Sequence, residues 1–354
     1  NYTTGVANPY LLLEPSRTNF ITQSEYYNTS WSLTSVSVTD NAITSPEGVQ
    51  NASEFTNNIT NDQHKVVFES LSVTSGVTYV ASIYFKSNTA QWVRIQSGGG
   101  EFGSQYWQNF DIVNGLKGDR GSNTGTDDAT IESFGNGWYK CTLPMTAALT
   151  AFGGQLQLRI LEDNASSTAP IFTGTGLSSY AYGAQFEEGS YPTSYIPTYS
   201  TIATRAADTS SKADASADIN STEGVLYAEI AALADDGTKR YISLSDGGNS
   251  NDVRLYLDTN GYISALTKVG GSTQAFLSTN AYAQNNFNKI AFKYKENDFA
   301  LWVNGVEVAT DNSGLVNAAN TLNELAFLGN NLPFYGKVNA LQVYKEALTD
   351  TELA

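Results

Sequence analysis

The 354 residues carry 19 Lys and Arg against 35 Asp and Glu, for a net charge of -16. Such a surface repels duplex nucleic acid and anionic lipid, so neither nucleic-acid binding nor membrane insertion is expected, and no apolar run reaches spanning length. A single cysteine, Cys141, excludes an intrachain disulfide, and the length suits two domains that each bury a core.

Abundant Gly (30) and Tyr (21) with only 15% charged residues is the profile of an all-β chain with many turns. In chain order, a short apolar run, Leu11–Leu13, is ended by Glu14-Pro15. Strands are then predicted at 31–39, 48–55, 64–71 and 77–86 from the two-residue alternation of apolar side chains. In the last of these, Tyr79, Ala81, Ile83 and Phe85 point one way and Val80, Ser82, Tyr84 and Lys86 the other. The strand at 91–97 places Val93 and Ile95 inward and Trp92, Arg94 and Gln96 outward. Strands at 106–113, 130–134 and 138–143 follow, the last two joined by the Gly135-Asn136-Gly137 turn. The strand at 155–161 buries Leu156, Leu158 and Ile160 and presents Gln155, Gln157 and Arg159. In the strand at 179–187, Tyr182, Ala184 and Phe186 share a face. Trp31, Trp138 and Trp302 are assigned to cores, Cys141 to a buried strand position, and His64 to an ordinary strand.

After Gly189, Pro192 and Pro197 mark edge or linker backbone. Tyr191, Tyr195, Ile196 and Tyr199 are apolar enough to staple the departing chain onto the first domain. Beyond Arg205 the composition turns small and polar. The predicted organisation is a first domain at 1–205, a linker at 206–222 and a second domain at 223–354. Strands recur through that second domain, with Asn260-Gly261 and Asn304-Gly305 as hairpin turns. Thr349 and Glu352 have the spacing of a capping box in the C-terminal tail. The expected fold class is all-β, two tandem β-sandwich (jelly-roll) domains.

Two resemblances rest on particular stretches. NKIAFKYKENDFALWVNGVEVAT (Asn288–Thr310) and the closing GKVNALQVYKEALTDTELA (Gly336–Ala354) resemble concanavalin A-like, laminin-G-type lectin sandwiches. LLLEPSRTN (Leu11–Asn19), the Ser45–Gly48 turn, GNGWYKC (Gly135–Cys141) and the run from Gly183 to Asp208 resemble carbohydrate-binding-module-like jelly rolls of phage fibres and bacterial surface or secreted proteins. The resemblance implies recognition more firmly than any reaction, and an extracellular or virion-surface location. It also implies one structural calcium near the ends of the first domain, for which Glu14, Asp163 and Glu188 are candidates. In the second domain the loop Asp246–Asp252 offers Asp246, Asn249 and Asp252, oxygen ligands of the kind calcium takes. A solvated acidic loop is the alternative there.

No catalytic set is evident. The Glu-x-Asp-x-x-Glu strand motif of glucanases with the concanavalin A-like fold is absent, and Glu187-Glu188 and Asp235-Asp236 are adjacent pairs that a strand would point to opposite faces. The glycine run Gly98–Gly100 lacks the Lys-Ser/Thr of a phosphate loop and reads as a mobile loop. Sugars present flat CH faces ringed by hydroxyls, which call for an aromatic platform with planar polar side chains. Trp92, Arg94 and Gln96 with Gln155, Gln157 and Arg159 supply that set, and Tyr106 and Trp107 stand ready to cap it, with core packing the alternative for one of those two; a subunit interface or solvated sheet is the alternative for the same face. The expected function is non-catalytic recognition of a polysaccharide or cell-surface glycan, as an adhesin, with a homo-oligomer such as a trimer adding avidity. The alternatives are a polysaccharide lyase or glycoside hydrolase, or a structural virion or filament subunit.

Overall fold

The computed structural model describes residues 9–98, 100–102, 106–124 and 129–354. The opening residues 1–8, and Gly99, Gly103 and Ser104 of the glycine-rich loop, lie outside the described residues. The chain divides into two units: Ser16–Ala206 form the first, and the described residues 9–15 join Ala207–Ala354 in the second. Among the described residues no helix is long and apolar enough to cross a membrane.

The first unit sandwiches an apolar core between two six-stranded antiparallel sheets. One runs, in spatial order, Leu116–Arg120, Trp107–Asp111, Trp92–Gly98, Ala151–Leu161, Lys65–Val73 and Ser32–Thr34. The other runs Thr130–Ser133, Trp138–Thr146, Thr78–Ser87, Ser178–Glu188, Gln50–Asn57 and Val36–Thr44. Alternation positions the side chains as the pattern predicts: Val93, Ile95, Leu156, Leu158 and Ile160 meet Tyr79, Ala81, Ile83 and Phe85 in the core. Cys141 and Trp31 are buried among them. Trp138, by contrast, lies in a small cluster on the outer face of its sheet with Tyr84 and Tyr182.

Two departures from simple alternation shape the unit. The stretch expected as one strand at 31–39 breaks at Ser35, whose φ of +49° is left-handed, and its two halves enter different sheets. That conformation is disfavoured for a residue with a Cβ, and the surroundings clamp it. Ser35 Oγ donates to Asp62 Oδ2 at 3.0 Å, and its carbonyl lies 2.8 Å from His64 Nδ1. His64 is therefore a buried brace rather than a strand residue; its Nε2 lies 3.1 Å from the Phe172 carbonyl. The second departure is Gly183, with φ +64°, where the register against Thr78–Ser87 shifts between Tyr182 and Gln185. This is a bulge, and it reverses which residues face in. Ala181, Ala184 and Phe186 point into the core, while Tyr182 goes to the outer face and does not share the face of Ala184 and Phe186.

The second unit repeats the two-sheet plan. One sheet runs Leu11–Leu13, Gly336–Tyr344, Glu223–Ala232, Asn288–Lys295, Phe299–Val303 and Val306–Asp311. The other runs Ser211–Lys212, Glu324–Ala326, Arg240–Ser245, Asp252–Leu257, Ile263–Val269 and Ser272–Thr279. Leu11–Leu13, read from the sequence as part of the first domain, is the edge strand here: Leu11 pairs with Val338 and Leu13 with Gly336. Leu13 is buried in this unit's core. The stretch 206–222, expected as linker, is also built in, because Ala215 and Ile219 anchor it in the same core. Trp302 sits in an outer cluster beneath Leu348 and Leu353, held by a C-terminal turn with the expected capping box, in which Thr349 N and Oγ1 donate to Glu352 Oε2 at 2.8 and 2.7 Å.

Candidate functional site

The polar stripe read from the sequence is assembled by the fold. Arg94 stands opposite Arg159 and Gln96 opposite Gln157, and the neighbouring strand adds Trp107 opposite Gln96 and Asn109 opposite Arg94. Tyr106, one residue out of phase with Trp107, points the other way and packs against the core, so of the two capping candidates it takes the core alternative and leaves this face. The face is not an open groove, because residues 162–171 lie across it. Arg94 Nη1 donates to the Ser167 carbonyl at 2.7 Å, Nη2 to the Ala165 carbonyl at 2.6 Å and Nε to Asn109 Oδ1 at 2.7 Å. Gln96 Nε2 reaches the Thr168 carbonyl at 3.1 Å. Arg159 donates to Gln63 Oε1 and Gln157 Oε1 at 2.7 and 2.6 Å. The Arg94 guanidinium lies 3.8 Å from the Trp107 ring centroid, and its residue is 0% exposed. Trp92 and Gln155, at the rim, are half-buried.

The calcium candidates are placed as follows. Among the described residues no three His, Cys, Asp or Glu side chains converge on a point that could hold an ion. Asp252 is buried, with its carboxylate bound by Arg254 Nε and Nη2. Asp246 spends its oxygens inside its own loop, on Gly248 N at 2.9 Å and Asn251 Nδ2 at 2.7 Å. Asn249 is exposed, as are Asp163 and Glu188, whereas Glu14 is buried. Hard-cation sites need several oxygens converging on one point.

An open concavity lies on the outer face of the other sheet of the first unit. It measures about 500 Å³, within the usual range for small-ligand sites. Tyr84, Trp138 and Tyr182 make a nearly buried floor, and Phe134, Tyr195 and Ile43 rise around it. Tyr84 meets Phe134 edge-on at 4.9 Å and Tyr182 meets Tyr195 at 5.3 Å. Local sequence explains each wall. The bulge at Gly183 delivers Tyr182, and the left-handed run Gly135-Asn136-Gly137 turns the chain so that Phe134 and Asn136 line the mouth. The Ser45–Gly48 turn closes one side, with Ser45 Oγ accepting from Glu47 N at 3.2 Å. Lys86, Glu47, Asn136 and Ser194 supply polar groups at the rim. None of these residues was singled out by sequence reasoning as a ligand contact. The available signals were the glycine inside a strand, which marks a bulge, and the two left-handed turns.

Behind the Tyr195 wall lies a buried carboxylate. Glu25 Oε1 accepts from the Tyr195 and Tyr199 hydroxyls at 3.1 Å each, and Oε2 from Asn51 Nδ2 at 3.2 Å. Burial raises the Glu25 carboxyl above the usual carboxylate range, against these hydrogen bonds. Burial likewise pushes the Tyr195 hydroxyl well up and Tyr199 up to about 12. A tyrosinate base is thereby disfavoured at neutral pH, and Glu25 does not line the concavity. Glu187 and Glu188 point to opposite faces as expected: Glu187 is buried on Thr193 and Gln185, and Glu188 is exposed.

No curated protein matches the chain. Among solved structures, the IT-sialidase CBM40 of Ruminococcus gnavus aligns at 19% identity over 38% of this chain and 81% of its own, with a TM-score of 0.32. A native heptameric SAP-like pentraxin from Limulus polyphemus aligns at 15% identity over 38% and 69%, TM-score 0.32. The Caenorhabditis elegans galectin LEC-6 aligns at 14% identity over 38% and 94%, TM-score 0.27. Residues 205–354, which make up nearly all of the second unit, match the model of the concanavalin A-like lectin/glucanases superfamily.

Proposed function

We propose that this is a non-catalytic glycan-recognition protein, an adhesin acting outside the cell or on a virion surface, and that its first unit grips a sugar in the aromatic concavity. One observation carries the reading: five aromatic side chains, Tyr84, Phe134, Trp138, Tyr182 and Tyr195, line an open concavity whose rim holds amide, hydroxyl, ammonium and carboxylate groups. Aromatic faces pack on sugar CH groups, and polar rim groups select among hydroxyls. The lectin-like second unit agrees with this reading.

The test is a glycan array followed by affinity electrophoresis of the full chain. Single sugar sites bind in the millimolar to micromolar range, about -4 to -8 kcal/mol. Phe134→Ala is expected to weaken the best ligand about tenfold, roughly 1.4 kcal/mol. An unchanged affinity in that variant would place the sugar elsewhere, and cleavage products in the gel would return the lyase or hydrolase reading.

A further inference from the structure

The roofed face of the first unit is electrostatically one-sided. Lys65 stands opposite Arg159, and Arg159 opposite Arg94, so three cations cross three adjacent strands in one row. Like charges placed directly opposite are destabilising. Among the described residues neither guanidinium has a carboxylate partner: Arg94 rests on neutral carbonyl and amide oxygens, and Arg159 on Gln63 and Gln157. Arg159 Nε is buried with no acceptor. Asp119 acts on Arg94 only at longer range, while Asp62 and Glu69 act on Lys65. Burial, with repulsion from Arg159, lowers Arg94 to about 9, and burial lowers Arg159 to about 10. Two buried cations with no anion beside them among the described residues are a functional signature as much as a structural one.

What covers them is weakly anchored. Residues 162–171 read EDNASSTAPI; Pro170 alone is buried, and Ile171 is 59% exposed. The segment is held by hydrogen bonds from Arg94, Gln96 and Asn109 and by Asn164, whose Oδ1 accepts from Asn109 Nδ2 at 3.0 Å and from Asp119 N at 2.7 Å. Water or a ligand can replace such bonds, whereas a buried Leu or Phe would resist removal.

We propose that residues 162–171 are a displaceable strap over an anion site, and that the carboxylate or sulfate ester of an acidic glycan takes the place of the strap's carbonyl oxygens on Arg94 and is shared with Arg159 on the adjacent strand. A carboxylate or sulfate adds opposite charge and can meet the guanidinium fork through two oxygens at once, which a single carbonyl cannot. Trp92 at the rim offers a ring for the adjoining sugar. This site is separate from the aromatic concavity and stands or falls without it.

The experiment is affinity electrophoresis of the full chain in polygalacturonate, dextran sulfate and neutral dextran, at ~0.15 M salt where long-range repulsion by the acidic surface is largely screened. The parent is expected to be retarded by an acidic polymer and not by dextran, and the polymer that works distinguishes carboxylate from sulfate. Asn164→Ala, which loosens the strap and keeps the cations, should bind at least threefold tighter. Arg159→Gln should abolish retardation. Leu315→Ser, an exposed change in the second unit, should leave it unchanged, and the glycan-array affinity of Phe134→Ala reads the aromatic site apart from this one. Hydrogen exchange on the parent gives a readout free of any variant: strap amides should exchange faster when the acidic polymer is bound. Equal affinity of Asn164→Ala and the parent, binding that survives Arg159→Gln, no acidic binding at all, or slower strap exchange on binding overturns the proposal.

Discussion

The two outer faces of the first unit make an instructive pair. One carries a conspicuous row of Trp, Arg and Gln side chains and is closed by its own chain; the other shows no polar stripe in the sequence and is open. Period-two alternation reports which side chains leave the core, and it did so correctly for Trp92, Arg94, Gln96, Gln155, Gln157 and Arg159. It is silent about what covers them afterwards. Arginine and glutamine in such a row are as well suited to satisfying the backbone of a crossing loop as to meeting a sugar. Openness is decided by loops and bulges, whose signals are single glycines.

The largest effect that separates the faces is on stability. Replacing Arg94 by Met removes every bond it makes to the strap and leaves several carbonyls facing an apolar side chain, at a cost of about 3 kcal/mol. For a unit of this size that lowers the melting temperature by roughly 6–12 °C in calorimetry. Phe134→Ala, on the open face, should barely move the melt while losing glycan affinity; if it destabilises as much as the Arg94 change, the distinction between the faces collapses. Next comes Gly183→Ala. A Cβ there carries a left-handed φ and stands 3.3 Å from both Tyr195 and Tyr84, so about 1–2 kcal/mol of destabilisation is expected, along with weaker sugar binding because the bulge sets the Tyr182 ring. Binding that stays intact in a destabilised Gly183→Ala protein would detach the concavity from the bulge.

The smallest effect is a pH dependence. Burial raises the Glu187 carboxyl, against hydrogen bonds from Thr193 and Gln185. A carboxyl raised in the folded state contributes stability at low pH that is lost as pH rises through its folded value, starting above the ordinary value of ~4.3. Relative to Glu187→Gln, the parent should therefore lose stability as pH rises above the ordinary carboxylate range in denaturant titrations. A constant difference between the two proteins would show that Glu187 stays charged throughout.

Strand content and the inward faces were legible because apolar alternation is a local property. The tail's capping box was legible for the same reason: Thr349 and Glu352 are three residues apart. Domain membership of Leu11–Leu13 was not, because nothing local in three leucines states which of two sheets they will join. Tyr182 was misplaced because one left-handed glycine changes the count by one, and every later side chain then changes sides. Ser35 hid a strand break, since its φ is stabilised by Asp62 and His64, residues that sequence spacing does not connect to it. Trp138 and Trp302 were correctly read as covered, but by outer clusters rather than by the main cores.

The placement of Leu11–Leu13 bears on how this protein is made and cut. The three leucines leave the ribosome well before the Gly336–Tyr344 strand they must flank, so that pairing is among the last that translation permits. A fragment beginning at residue 205, the span a lectin-superfamily boundary would suggest to an engineer, would be born with one sheet margin bare and a hole where Leu13 belongs. Bare margins of that kind recruit strands from other molecules, so excision at the obvious junction should yield a sticky product, and grafting residues 9–15 back onto it should restore solubility.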